Sequence, residues 1–281
     1  MPKIIVDGTT THFVETGMGD TVILLHSGGT GSAQWTKVFE ELGHRCHLVA
    51  PDLRGYGHSD GWSDHRLPTL SQEVGAVHAL AKRSTGNVHL VGHSYGGSVA
   101  LFTAKDQPEL YDSLTLIEPA NFHLLRGGSE SDQLLFRLIY HIAMRITDSV
   151  ASNTQADGLR EFVDYWSGQG TWANLNDEAQ ASLCAKAKII AYNFFATMCD
   201  KTPFSRLTDH GLPTLFIQGE NTSPIMERIT QKLLAGTRSS RVQVIEHAGH
   251  MLPNTHSRIV ADLIMDHAAR MRALGRTRAA A

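Results

Sequence analysis

Val88-His89-Leu90-Val91-Gly92-His93-Ser94-Tyr95-Gly96-Gly97-Ser98-Val99-Ala100-Leu101 is the stretch on which the fold turns. Val88–Val91 is a short, mostly apolar run of the kind a strand covered on both faces shows. A helix follows over Tyr95–Lys105, opened by Gly96, Gly97 and Ser98, whose small side chains let it lie close to a sheet. Between them, Gly92-His93-Ser94-Tyr95-Gly96 is a Gly-x-Ser-x-Gly turn. Such a turn forces its serine into a strained backbone and presents the hydroxyl above the carboxyl edge of the sheet. A Gly-rich turn that merely packs tightly is the plainer reading of the pentapeptide alone. Its place after a strand and before a helix is the stronger signal.

The same alternation extends outward. Val22–Leu25, His47–Ala50 and Leu114–Ile117 are further apolar runs, ending at His26, Pro51-Asp52 and Glu118. Leu70, Val74, Val77 and Ala81 follow helical spacing, with a capping box expected at Thr69-Leu70-Ser71-Gln72. Thr214–Gln218 and Val242–Ile245 resume the strand pattern, with helices after Pro224 and from Ser257. Strands alternating with helices imply an α/β chain with a parallel, doubly wound sheet. Between them the pattern changes. Leu134, Leu135, Leu138, Ile139, Ile142 and Ile146 form one helical face, and Ala179–Cys199 another helix. Residues 121–210 are too long for an ordinary loop and read as a helical insertion. The core is then 1–120 and 211–281, and the basic, Ala-rich tail from Arg270 to Ala281 is expected to fray.

Composition excludes several classes. The 281 residues carry a formal charge of −3, with no basic stripe for nucleic acid and no polybasic membrane patch. Three cysteines, Cys46, Cys184 and Cys199, are too few and too irregularly spaced for a disulfide framework or a zinc site. No apolar run approaches the ~20 residues a bilayer requires, and Met1-Pro2-Lys3-Ile4 does not begin a secretory signal. The expectation is a cytoplasmic protein without cofactor or metal.

A serine hydroxyl needs a base. The loop after Val242–Ile245 offers two, in Glu246-His247-Ala248-Gly249-His250-Met251. His250 is preferred, because the Ala-Gly pair lets the loop turn over the sheet edge; His247 reads as a strand-end residue bonded to backbone. A metal pair made by the two histidines lacks the helical i, i+4 spacing. Acyl transfer also needs donors for an oxyanion. His26-Ser27-Gly28-Gly29-Thr30-Gly31 is a loop of free N–H groups after a core strand, with Gly28 the best placed and the Tyr95 N–H its partner. Neither a Gly-Lys-Ser/Thr ending nor Gly-x-Gly-x-x-Gly spacing makes it a phosphate loop.

The His26-Ser27-Gly28-Gly29 loop, Pro51-Asp52-Leu53-Arg54-Gly55-Tyr56-Gly57-His58-Ser59-Asp60, the Ser94 turn and Ala248-Gly249-His250 occur in that order. Together they resemble the α/β-hydrolase family over nearly the whole chain. The resemblance implies a mostly parallel eight-stranded sheet flanked by helices, the 121–210 block as a cap, and Pro51–Asp60 as a shaping loop. It also exposes a departure. The family's usual Asp follows the strand after the cap, but Gly219-Glu220-Asn221-Thr222 puts Thr222 there, and threonine cannot carry the charge that stabilises an imidazolium. Glu118, at the end of the strand after the Ser94 helix, is where some relatives place their acid. Glu220 is the second choice, and a site without an acid stays open.

Aromatics are concentrated across 122–195, Phe122, Tyr140 and Trp166 among them. Cap core is the default for each, yet together they point to an apolar pocket, with His26, Ser27 and His93 as further candidate lining. The favoured activity is a serine hydrolase acting on a small-to-medium hydrophobic carboxylic ester or lactone through an acyl-enzyme at Ser94. The alternatives are a C–C bond hydrolase of dienone substrates and, from another class, a non-catalytic ligand-binding sensor on the hydrolase fold. The oligomeric state is not legible.

Overall fold

The computed structural model describes residues 1–43, 45–62 and 66–279. Eight strands form one sheet: β1 (Lys3–Val6), β2 (Thr9–Thr16), β3 (Thr21–Leu25), β4 (His47–Pro51), β5 (Val88–His93), β6 (Ser113–Ile117), β7 (Thr214–Gly219) and β8 (Ser240–Ile245). Their spatial order is β1-β2-β4-β3-β5-β6-β7-β8. Pairs from β4 onward are parallel, while β1–β2 and β2–β4 are antiparallel. The expected mostly parallel, eight-stranded α/β architecture is therefore the architecture found.

Continuous apolar strands are explained by burial on both sides. Ile23, Leu25, Leu90, Leu114, Leu116 and Phe216 enter one core, and Val22, Leu24, Val91, Ile117, Leu215 and Ile217 the other. Successive side chains point to opposite faces, so each strand feeds both. Val99 and Ala100 of the helix Tyr95–Asp106 close the first core. Val38 and Leu42 of Thr36–Leu42, with Val260 and Ile264 of Ser257–Ala279, close the second.

The chain leaves β3 toward β4 on one side, then returns to place β5 on the other. The carboxyl ends of β3 and β5 thus diverge into a crevice, the usual ligand position in an open α/β sheet. Both the His26–Gly31 loop and Ser94 emerge there.

Only helices lie between β6 and β7 among the described residues. The long helix Glu130–Ala151 begins with a full capping box between Ser129 and Asp132. It buries Ile139, Ile142, Ala143 and Ile146, but Leu134 and Leu138 of the expected face are exposed. The helix expected over Ala179–Cys199 is two, Asp177–Ala185 and Ala187–Met198, divided at Lys186. Asp132 clasps this block to the sheet's own helices: its buried carboxylate accepts Arg228 Nε at 2.6 Å and pairs with Lys232 Nζ at 2.8 Å, both on Pro224–Gly236.

Two smaller expectations are amended. The box at Thr69 is half formed, because Gln72 Oε1 accepts the Thr69 N–H at 2.9 Å while the Gln72 N–H bonds the Thr69 carbonyl. The tail from Arg270 remains helical to Ala279, and Ala280 and Ala281 lie outside the described residues. No described helix is long and apolar enough to cross a membrane.

Candidate active site

Ser94 sits at φ 53°, ψ −116°, a conformation costly for any residue with a side chain. The flanking glycines are required by space. A Cβ on Gly92 would lie 2.2 Å from the Gly96 carbonyl oxygen, and one on Gly96 would lie 2.3 Å from the Leu25 oxygen. The strained turn is fixed by Ser94 N–H bonding the Ile117 carbonyl at 2.9 Å and Gly96 N–H bonding the His26 carbonyl at 3.1 Å. The nucleophile candidate is therefore braced by both neighbouring strands, β6 and β3.

His250 Nε2 lies 3.0 Å from Ser94 Oγ, and His250 Nδ1 lies 2.7 Å from Glu118 Oε2. Glu118 is wholly buried, directly after β6, at φ 43°. Its second oxygen accepts the Gly219 N–H at 2.8 Å, so neither oxygen is left unpaired in the interior. A carboxylate at Nδ1 holds the ring proton there and leaves Nε2 free to accept the serine proton.

Glu220 is elsewhere. Its carboxylate accepts the His247 N–H at 2.9 Å and stands 3.4 Å from His247 Nδ1, both side chains being exposed. The second-choice acid therefore points away from His250, its exposed side chain turned to His247 and solvent two residues after Gln218. Thr222, at the usual acid position, has a buried hydroxyl with no hydrogen-bond partner among the described residues.

A cavity of about 240 Å³ opens over Ser94. Its floor is Ser27, Gly28, Gly29, Thr30, Ser94, Tyr95 and His250, and its roof includes Phe162, Val163, Trp166, Ile190, Asn193 and Phe194 from the helical block. Phe122 joins it, stacked on Phe194 at 5.7 Å between ring centroids. Trp166 lies with its ring centroid 4.5 Å from that of His250 and screens the imidazole on one side. Gly28 N–H donates no hydrogen bond to any described residue, and Tyr95 N–H, in the first helical turn, has no helical acceptor four residues back. Both residues face the cavity.

Three of the expected lining residues do not line it. Tyr140 is half exposed on the outer side of its helix, ring to ring with Phe136. His26 is fully buried beneath the loop; its Nε2 accepts the Leu53 N–H at 3.0 Å and its Nδ1–H donates to the Ser27 carbonyl at 2.8 Å. Burial lowers its pKa to about 4, so it is a neutral post. His93 is equally buried, with Nε2–H donating to the His250 carbonyl at 2.9 Å. Burial, with His250 beside it, keeps its pKa well below the usual histidine value. Both adjoin the motifs in sequence, but their rings are spent inside the protein: His26 on backbone groups, and His93 on the His250 carbonyl and, through Nδ1, the Gln34 side chain at 3.3 Å. Asn193 and Ile190 were missed, since nothing marks one face of an Ala-, Ile- and Phe-rich helix as roof.

Residues 22–263 match the alpha/beta hydrolase family, and the chain belongs to it. It is 24% identical over 277 residues to the 2-hydroxy-6-oxo-6-phenylhexa-2,4-dienoate hydrolase of Burkholderia cepacia, spanning 92% of this chain and 91% of that protein. Among solved structures it is similar to a thermophilic esterase from Thermogutta terrifontis, with TM-score 0.75, 20% identity, and 96% and 99% of the two chains covered. It is also similar to the epoxide hydrolase CorEH, with TM-score 0.76, 19% identity, and 96% and 98% covered. Relatives with three different chemistries share the fold, which therefore does not select the reaction.

Proposed function

We propose that the protein is a serine hydrolase that cleaves a small, neutral carboxylic ester or lactone through an acyl-enzyme at Ser94, with the 121–210 helices as a cap over the site. The observation that carries this is the unbroken Ser94–His250–Glu118 hydrogen-bond chain at the floor of the cavity. As His250 Nε2 takes the hydroxyl proton, Ser94 Oγ adds to the carbonyl carbon, and the developing oxyanion meets the Gly28 and Tyr95 N–H groups. Glu118 stabilises the imidazolium. His250 then gives its proton to the leaving alkoxide as the C–O bond breaks. Water enters, loses a proton to His250 and adds to the acyl carbon, and collapse returns the proton to Ser94 as the acid leaves.

Size and polarity support the substrate class. A cavity of about 240 Å³ walled by Phe122, Phe162, Val163, Ile190 and Phe194 suits a compact, largely apolar substrate. The described lining residues include no Lys or Arg, so no cation there meets a substrate carboxylate. A second reading, C–C bond hydrolysis, is favoured by the full-length likeness to a dienoate hydrolase; it requires an anionic substrate to enter this lining. Hydrolysis of p-nitrophenyl acetate through octanoate, a small lactone and a 2-hydroxy-6-oxo-dienoate, by wild type and Ser94→Ala, separates the two. Ester or lactone turnover abolished in Ser94→Ala supports the first. Turnover of the dienoate alone supports the second, and tight ligand binding without any turnover points to a sensor.

A further inference from the structure

The loop that carries Gly28 is held from two directions, and one of them is the helical block. The Gly28 N–H belongs to the peptide whose carbonyl is that of Ser27. That carbonyl accepts the Thr30 hydroxyl at 2.9 Å and His26 Nδ1–H at 2.8 Å. Because N–H and C=O of a trans peptide point in opposite directions, pinning the carbonyl beneath the loop aims the N–H into the cavity. The neighbouring peptides are pinned too. Ser27 N–H donates to Gln34 Oε1 at 3.0 Å, and Gly29 N–H donates to the Tyr56 hydroxyl at 2.9 Å.

The remaining supports come from the 121–210 helices. Tyr56 Oη donates to Asn193 Oδ1 at 2.5 Å, and the Asn193 side chain also stands against the hydroxyl of Tyr95. Lys186, at the break between two helices, sends its ammonium 3.3 Å from the Gly29 carbonyl oxygen and 3.5 Å from that of Thr30. Ile190 and Leu183 pack against Gly29, 3.4 and 3.6 Å from where its Cβ would stand. Tyr56 and Asn193 are buried, so these bonds are sheltered from water.

We propose that Tyr56, held by Asn193, and Lys186 are positioning residues for the oxyanion hole, so that the helical insertion completes the site's electrostatics as well as its walls. The Tyr56 hydroxyl keeps the Gly28–Gly29 peptide from turning its N–H toward the substrate, and the Lys186 ammonium fixes the two carbonyls that follow. Neither residue lines the cavity. Loss of either should weaken binding of the transition state without changing substrate contacts.

The inference rests on the proposed acyl-enzyme chemistry, and the test separates the two. Wild type, Tyr56→Phe, Lys186→Met and Lys186→Arg are compared on a short p-nitrophenyl ester, with a small alkyl trifluoromethyl ketone as the oxyanion mimic. Expected for Tyr56→Phe and Lys186→Met is a kcat loss of about ten- to hundred-fold, matched by equal weakening of the ketone. KM should stay within about twofold, and Lys186→Arg should recover most of the activity. Wild-type kcat in both variants, or a loss carried by KM with ketone affinity unchanged, overturns the inference alone. Failure of a fluorophosphonate to label Ser94 in wild type overturns the acyl-enzyme reading, and this inference with it. Lys186 is half-buried, so its variants keep the test decisive if Tyr56→Phe does not fold.

Discussion

Glu118 and His250 stand 132 residues apart in sequence and 2.7 Å apart in space. The carboxylate that meets the imidazole follows the strand beside the one that leads to Ser94, while the loop after β7 carries Thr222. The first prediction follows from that placement. Glu118→Gln presents an amide to Nδ1 and favours the wrong histidine tautomer, for a kcat loss of about 10³- to 10⁴-fold. Glu220→Gln touches only His247 and should retain wild-type kcat. Steady-state ester hydrolysis reads both, and equal loss in the two variants would refute the assignment.

Backbone strain at Ser94 gives the second. Relief of φ 53° by Ser94→Gly should stabilise the fold by about 1 kcal/mol while abolishing hydrolysis. The melting temperature should rise by about 2–4 °C. A fall on calorimetry would show that the turn is not strained.

Buried histidines set the third. Burial lowers His26, His210 and His267 each to about 4, whereas an unfolded histidine titrates near 6.5. Between about pH 6.5 and 4 the unfolded chain therefore binds up to three more protons than the folded one. Stability should be flat in these groups above that window and should fall as pH drops through it. Melting temperatures across the range test this, with His267→Gln expected to flatten the slope by about one proton; an unchanged slope would count against it.

Asp132 acts at lower pH. Its hydrogen bonds with Arg228 and Lys232 hold its carboxyl far below the usual range, so its contribution is complete above the unfolded value near 4 and is lost as pH falls below it. Asp132→Asn should lower stability at neutral pH and make acid unfolding shallower. Denaturant titrations at about pH 7 and 3 compare the two chains; an equal deficit at both would be the contrary result.

Phe162 forms part of the roof, edge-on to Phe194 at 5.9 Å. Phe162→Ala should move the preferred acyl chain of the p-nitrophenyl series to greater length, at a stability cost below that of a fully buried phenylalanine. A chain-length profile superimposable on wild type would remove Phe162 from the substrate wall.

Five of the parallel strands, β3 to β7, were legible because burial on both faces writes a continuous apolar run, and Ser94 because strand, turn and helix follow one another without spacers; β8, largely half-exposed, showed only through its Val242–Ile245 run. β1 and β2 were not. Lys3–Val6 is the edge strand and Thr9–Thr16 its largely half-buried neighbour, and Ile5 faces solvent where a core residue would be expected. The choice between Glu118 and Glu220 depended on where two strand ends point, which only the register of β6 against β7 decides. The roles of His26 and His93 depend on backbone carbonyls and amides, which carry no signal in side-chain sequence.

Adjacent, hydrogen-bonded strands deliver Ser94 and Glu118 within one uninterrupted strand–helix–strand segment that ends before the helices of 121–210 begin. Lengthening or exchanging those helices leaves the spacing of serine and carboxylate untouched. The segment thus carries both side chains as one unit, and on the proposed reading the helices of 121–210 are a separable part that bears on substrate range. On the proposed chemistry a graft of other helices would leave Ser94 and Glu118 in place whatever its origin, and would have to bring a lysine and an asparagine in the places of Lys186 and Asn193.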